Sequence, residues 1–446
     1  MSKKIRDYLF IIFIVIFVIA TIIVSVYASG YKLNLSWPLS FNRLLIKTGM
    51  LVIDTKPSGA TVYLNNEIQS AFSLNPWKKN ELTTATKVKN IIPGEYDLKL
   101  ELDGYWAFQK KIKIQSNQTT FLENINLFKN NDALLIAESS RDSIALSPND
   151  KYLYLNDGKK IITIKTGQEK KITIENSTDC SNNGEWLKTE DKLLINGLII
   201  DPVGEKDIDY RQLIGKDASG WHYDESSDRL YFKASESLSY FDLNKKNITQ
   251  IANGANYVSC EGRDDYLFLI ESIDDKITLK KYSLKENRMD KIIDLPGVGQ
   301  YQFVAGHEKF LTIYDEQNKT LYLINPDNDQ ENKTIHNIAS WQWLDDKTLF
   351  YNNEWEIYSL DLEQNNNTLI TRFGEKIEKI IWNEKNKYLI FSTEKSLNAI
   401  ELEFGAITTI LKTEQLFSPV LDKKNDILYF WGKTKNQEGI YKILLK

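Results

Sequence analysis

The feature that most limits what this chain can become is a repeat. Through its C-terminal two thirds a short apolar segment returns behind a charged residue: Lys151-Tyr-Leu-Tyr, Lys192-Leu-Leu-Ile, Arg229-Leu-Tyr-Phe, Asp265-Tyr-Leu-Phe, Lys309-Phe-Leu-Thr, Lys347-Thr-Leu-Phe, Lys387-Tyr-Leu-Ile and Asp426-Ile-Leu-Tyr. The eight starts lie 41, 37, 36, 44, 38, 40 and 39 residues apart. Helical periodicity is missing, and the spacing is near the roughly 40 to 45 residues of a four-stranded propeller blade. Within a unit a third strand such as Ser239-Tyr-Phe-Asp-Leu or Ile357-Tyr-Ser-Leu-Asp-Leu precedes a fourth such as Ile248-Thr-Gln-Ile or Thr368-Leu-Ile-Thr. The last unit stops at its third strand, Gly439-Ile-Tyr-Lys-Ile-Leu-Leu-Lys, while an orphan strand, Ala133-Leu-Leu-Ile-Ala, stands just before the first. The expectation is an eight-bladed β-propeller over 132–446, closed by strand 133–137, which hides an edge otherwise open to other chains.

The N-terminus carries a different signal. No charged residue occurs from Tyr8 to Tyr31, and fifteen of the eighteen residues from Leu9 to Val26 are Leu, Ile, Val or Phe. At 1.5 Å per residue such a run covers about 27 Å, close to the hydrocarbon thickness of a bilayer. Each of these side chains favours insertion by about 0.3 to 0.6 kcal/mol. Lys3, Lys4 and Arg6 precede the run. The positive-inside rule therefore predicts a cytoplasmic tail (1–7), a transmembrane helix (8–28) and an extracytoplasmic body in the plasma membrane, with the lipid bilayer as partner through Leu9 to Val26. The competing reading is a cleaved signal peptide, for which Val26-Tyr27-Ala28 offers small-residue chemistry; the run is longer than an ordinary signal h-region.

Behind the helix, 29–47 alternates apolar and polar residues and reads as an extended juxtamembrane stalk. Strand and turn signals then follow each other closely: Met50-Leu-Val-Ile-Asp-Thr, the turn Pro57-Ser-Gly-Ala, Thr61-Val-Tyr-Leu, Asn65-Asn66, Pro93-Gly-Glu-Tyr, and Asp103-Gly-Tyr before Phe108. Period-two alternation in these strands predicts one buried and one wet face. Residues 48–128 resemble the PEGA domain, a small β-sandwich-like module of bacterial and archaeal surface proteins. Pro57-Ser58-Gly59-Ala60 stands at the namesake motif, and Val62-Tyr63-Leu64-Asn65, Pro93-Gly94-Glu95-Tyr96 and Gly104-Tyr105 match later strands and turns. The stretch 69–90 departs from the family in length and polarity. The resemblance implies a surface or interaction module without catalytic residues. The C-terminal repeat resembles WD-repeat and TolB-like propellers in rhythm; no Gly-His or Trp-Asp signature recurs, so that resemblance implies architecture alone.

Several function classes lack support in the residues. Net charge is −5, and Lys and Glu are interspersed along the body, so no basic stripe is available to displace counterions from nucleic acid. Cys180 and Cys260 match no metal or redox spacing, fall in different repeats and are expected to be two thiols. His222, His307 and His336 are scattered, no nucleophile elbow or phosphate loop occurs, and no cofactor or metal is called for. The run Asp327-Asn-Asp-Gln-Glu331 spaces oxygen ligands but lacks the glycine and distal glutamate of an EF-hand loop.

Trp186, Trp221, Trp341, Trp343, Trp382 and Trp431 lie near strand ends in several repeats. Trp221, Trp341 and Trp343 are the candidate binding residues, since an aromatic mouth stacks sugars or grips peptides; large aromatics at matching places in repeats also fill space between blades. The expected function is that of a non-enzymatic, membrane-anchored binding or scaffold protein, its propeller a recognition head for a cell-envelope glycan or protein. The alternative is a cell-wall-acting glycoside hydrolase or lyase using propeller carboxylates, which a ring can bring together. The Asn-, Lys- and Ile-heavy composition is compatible with an AT-rich bacterial genome.

Overall fold

The computed structural model describes residues 3–33, 45–71, 80–173, 184–204, 207–215, 217–225, 227–234, 237–253, 257–263, 265–274, 276–304, 307–434 and 437–446. Nearly all of it is β-strand, apart from one long N-terminal helix, α1 (Lys3–Ala28). Its segment Tyr8–Ala28 has a mean hydropathy of 3.4 and no burial, so it is long and apolar enough to cross a membrane. Two compact units account for the chain: Met1–Asn131 with Glu401–Ile410 and Lys446, and Asp132–Ile400 with Leu411–Leu445.

In the first unit the two ends of the sequence-predicted stalk, Tyr31–Leu33 and Leu45–Lys47, pair antiparallel, so this segment doubles back; 34–44 lie outside the described residues. Two sheets follow. One orders Phe108–Ile114, Gly94–Glu101, Thr61–Leu64 and Glu67–Ile68; the other orders Thr119–Asn126, Gly49–Lys56 and Thr86–Ile91, its first pair parallel. Gly49–Lys56 alternates buried and half-buried positions along its length, which sends Leu51 and Ile53 into a core with Val62, Leu98, Leu100 and Ile125. Gly49 is required by close approach, because a Cβ there would lie 2.5 Å from the Gln115 carbonyl and the Ile114 side chain. In the stretch 69–90, Ser70–Ala71 pairs with Asn80–Glu81, and 72–79 lie outside the described residues.

Glu401 is buried in this unit. Its carboxylate accepts hydrogen bonds from the Asn126 backbone N–H (2.8 Å) and from Asn126 Nδ2 (3.1 Å), and Lys446 donates to Asn126 Oδ1. Desolvation pushes the carboxyl up from 4.5 to about 7. Between those values the folded chain holds a proton that the unfolded chain has released, so stability falls as pH rises through that window. The expected loss is on the order of 3 kcal/mol. Glu401→Gln should flatten that part of the pH profile in urea unfolding of the full chain in detergent; an unchanged slope would refute the assignment.

The second unit is built on four-stranded antiparallel sheets, seven of them up-and-down meanders, and the sheet that spans 379–412 gives its segment Glu401–Ile410 to the first unit. Among the described residues there are eight, spanning 144–171, 185–209, 219–253, 257–295, 301–335, 340–372, 379–412 and 415–444. They are numbered one to eight here. The eighth draws three strands from 415–444 and its fourth from Leu134–Glu138, which pairs antiparallel with Glu438–Leu444.

Sequence chemistry explains the gradient across each sheet. Second strands such as Tyr388–Ser392 are buried at every position, hence their continuous apolar runs. Fourth strands such as Asn366–Arg372 are exposed and polar. Turns between third and fourth strands place Gly167, Lys246, Asn287, Asn365 and Gly405 at positive φ, a conformation that Gly and Asn tolerate best.

First strands of neighbouring sheets lie side by side: the third with the fourth and the fourth with the fifth, then in series the sixth, seventh, eighth, first and second. A serine hydroxyl stitches several of these junctions by accepting a backbone N–H from the next sheet. Ser259 takes it from Phe303 (3.2 Å), Ser340 from Ile380 (3.0 Å) and Ser418 from Ile144 (3.1 Å). The last of these joins the eighth sheet to the first, and the Asp150 carboxylate reinforces the junction by accepting from Lys423 N.

Candidate functional site

Where the first strands of the third, fourth and fifth sheets come together, a cavity of about 600 Å³ opens. Ser219–Asp224 and Tyr257–Arg263 each carry a bulge near the start, at Ser219/His222 and Tyr257/Ser259, which redirects side chains out of the regular alternation. The fifth sheet contributes Tyr301–Phe303 and the turn before it. That turn is held by the buried Asp315, which accepts from Gln300 N (3.0 Å) and leaves no room for a side chain at Gly299, where a Cβ would lie 2.5 Å from Asp315 Oδ2.

The lining is aromatic and mostly uncharged. Trp221, Tyr257 and Phe303, all partly exposed, supply apolar ring surface, the Tyr301 ring is buried, and Ser219, Ser259, His222, Gln300 and Gln302 supply polar groups. One ammonium, Lys233, and one carboxylate, Glu316, complete the described charged lining. Burial pushes the Tyr257 phenol up to about 12, raises Tyr301 further, and pushes the Cys260 thiol up to about 12, so all three stay neutral near pH 7. Tyr301 donates to the Pro296 carbonyl (2.7 Å) and Trp221 Nε1 to the Ala218 carbonyl (3.1 Å), fixing both rings.

Cys260 is a free thiol, and Cys180 lies outside the described residues. At pH 8 a thiol of pKa about 12 is ~10⁻⁴ thiolate, against ~0.2 for an unperturbed cysteine. In a Cys180→Ser background, iodoacetamide is expected to alkylate Cys260 on the order of a thousandfold more slowly than a free thiol, with full reactivity restored by urea. Rapid alkylation of the folded chain would contradict the assignment.

The three tryptophans singled out from the sequence do not converge. Trp221 lines the cavity and packs on Phe232, with ring centroids 5.4 Å apart. Trp341 packs on Tyr314 (4.9 Å) and Trp343 on His307 (4.5 Å), both within a hydrophobic cluster built on Phe310, Leu321, Leu349 and Leu360. Trp186, on the second sheet, donates to the Ala145 carbonyl of the first (3.0 Å), which makes it a filler between sheets. His222 lines the cavity, whereas His336 contacts Thr320. In the acidic run, Asp327 pairs with Lys281 and Glu331 with Lys309, and no cluster of three metal-ligating side chains occurs among the described residues. Away from the cavity, desolvation pushes the Lys379 ammonium down to about 8, opposite Ser392, whose buried Oγ has no hydrogen bond among the described residues.

Gln300, Gln302, Tyr257 and Tyr301 drew no attention in the sequence. The usable signal was the run Gly297-Val-Gly-Gln-Tyr-Gln, in which two amides flank an aromatic residue between glycines and a strand.

No family model and no curated protein sequence matches the chain. Solved structures similar to it are propeller proteins. The C-terminal WD40 domain of Sif2 aligns at 13% identity with a TM-score of 0.47, covering 70% of this chain and 99% of that one. An oligogalacturonate lyase from Vibrio parahaemolyticus aligns at 11% identity and TM-score 0.39, covering 70% and 90%. A chain of the mitotic checkpoint complex aligns at 10% identity and TM-score 0.40, covering 71% and 93%.

Proposed function

We propose that this chain is a single-pass, membrane-anchored binding protein of the bacterial cell surface whose second unit is an eight-bladed propeller acting as a recognition head. In this reading α1 holds the N-terminus in the cytoplasm, residues 48–128 form a PEGA-like sandwich that serves as a spacer, and the body is extracytoplasmic. The observation that carries the binding role is the cavity of about 600 Å³ shared by the third, fourth and fifth sheets, lined by aromatic and neutral polar side chains. Closure of the ring by the strand Leu134–Glu138 is supported by its pairing with Glu438–Leu444 and by the Ser418 to Ile144 contact. Two-sheet packing in the first unit, with Pro57 to Ala60 joining Gly49–Lys56 to Thr61–Leu64, supports the sandwich. The three basic residues before the apolar run support the orientation.

A carboxylate-based glycoside hydrolase would need a second acid about 5 to 9.5 Å from the first. Glu316 is the one carboxylate among the described lining residues.

Photo-crosslinking in intact cells tests the binding role. A photoreactive amino acid replaces Val258, which is 52% exposed in the cavity, and in a control Ile248, 50% exposed on the fourth strand of the third sheet. A specific adduct from position 258 and none from 248 is expected; equal labelling would overturn the reading. Protease added to intact cells should digest the body, and full protection would overturn the orientation.

A further inference from the structure

We propose that the ligand of this cavity is an uncharged saccharide, held by stacking on its aromatic wall and by the side-chain amides of Gln300 and Gln302. This rests on the reading of the cavity as the recognition site and names the chemistry it selects.

Charge is the first argument. Lys233 and Glu316, one charge of each sign, are the described charged lining, and the thiol and both phenols are neutral, so the lining carries no net charge to favour an anion or a cation. A hydroxyl leaving water needs a hydrogen-bond partner, whereas an ion needs a compensating charge as well.

Shape is the second. Trp221, Tyr257 and Phe303, partly exposed on three adjacent strands, present ring surface of the kind that a pyranose covers with its C–H face. The Trp221 ring is pinned by a hydrogen bond from its own Nε1, so little of its side-chain freedom is lost on binding.

The third argument is the placement of unused hydrogen-bonding groups. Gln300 immediately precedes the strand Tyr301–Phe303 and Gln302 lies within it, and both line the cavity. Both are exposed, and neither side-chain amide makes a hydrogen bond among the described residues. An amide donates and accepts at adjacent atoms, which matches a vicinal diol or an acetamido group, and the pair sits beside the aromatic wall.

The test uses the full chain in lipid nanodiscs and titration calorimetry with maltotriose, cellotriose, tri-N-acetylchitotriose and trigalacturonate, alongside a random-peptide display screen. The proposal expects at least one of the three neutral trisaccharides to bind and trigalacturonate to bind at least tenfold more weakly. Gln300→Leu and Gln302→Leu, both at exposed positions, should each weaken saccharide binding at least fivefold without moving the melting temperature. Binding restricted to trigalacturonate, or neutral saccharide binding indifferent to both substitutions, would overturn the proposal. Peptides that bind and lose affinity in the glutamine variants, with no saccharide binding, would overturn the ligand class and leave the cavity as the recognition site. If no probe binds in a way that these substitutions alter, both the ligand class and the recognition site fail.

Discussion

Deletion of residues 438–446 is expected to abolish cooperative unfolding of the second unit. The strand Glu438–Leu444 is central in its sheet, bonded on one side to Ile427–Lys433 and on the other to Leu134–Glu138. Its loss strips partners from both neighbours and removes Ile440, Tyr441, Ile443 and Leu445, all buried. Four such side chains at about 1.5 to 3 kcal/mol each amount to a large part of the roughly 5 to 15 kcal/mol that stabilises a typical domain. The segment Leu134–Glu138 would be left with an unpaired edge, a recognised aggregation hazard. Differential scanning calorimetry of the truncated chain should show no cooperative transition for this unit. A melting temperature equal to that of the full chain would refute closure of the ring through this strand.

Trp431→Ala is expected to cost about 3 to 5 kcal/mol, the range for removing a large buried aromatic ring. Trp431 is 2% exposed and belongs to a cluster that joins the eighth sheet, through Tyr429 and Ile440, to Ile144, Leu153, Leu155 and Ile162 of the first. Its Nε1 donates to the Ser139 carbonyl (2.9 Å), which fastens the segment after Leu134–Glu138. The substitution therefore opens a cavity and removes a hydrogen bond at one junction. Trp355, which is 50% exposed, is the control, and Trp355→Ala should stay within about 0.5 kcal/mol of the parent. Urea titration of both variants gives the comparison directly, and equal midpoints would show that burial at this junction contributes nothing.

These two tryptophans also show how far the sequence could be read. Trp431 ends the apolar run Ile427-Leu-Tyr-Phe-Trp, whereas Trp355 stands between Glu354 and Glu356, so local sequence already points to the first as buried and the second as exposed. Which sheet covers the Trp431 ring is not local, since its partners include residues nearly 300 positions away. The same limit applies to Trp341 and Trp343, which pack on Tyr314 and His307 of the preceding sheet, while Trp221 faces the cavity. Gln300 and Gln302 escaped notice because the run Gly297-Val-Gly-Gln-Tyr-Gln marks a turn entering a strand but not the cavity that the two amides line.

By itself the sequence determined the all-β class, the strand rhythm of the repeats and the apolar N-terminal helix. These are properties of spacing along the chain: alternation, run length and turn residues act over a few positions, and each is written where it acts. Only the tertiary structure decided which side chains share a cavity. Tyr257, Tyr301 and Trp221 meet because bulges and a buried aspartate redirect three strands from three sheets, and no short stretch of sequence contains all three. The long-range pairing of Leu134–Glu138 with Glu438–Leu444 is of the same kind, since its hydrogen bonds are set by where distant strands come to lie.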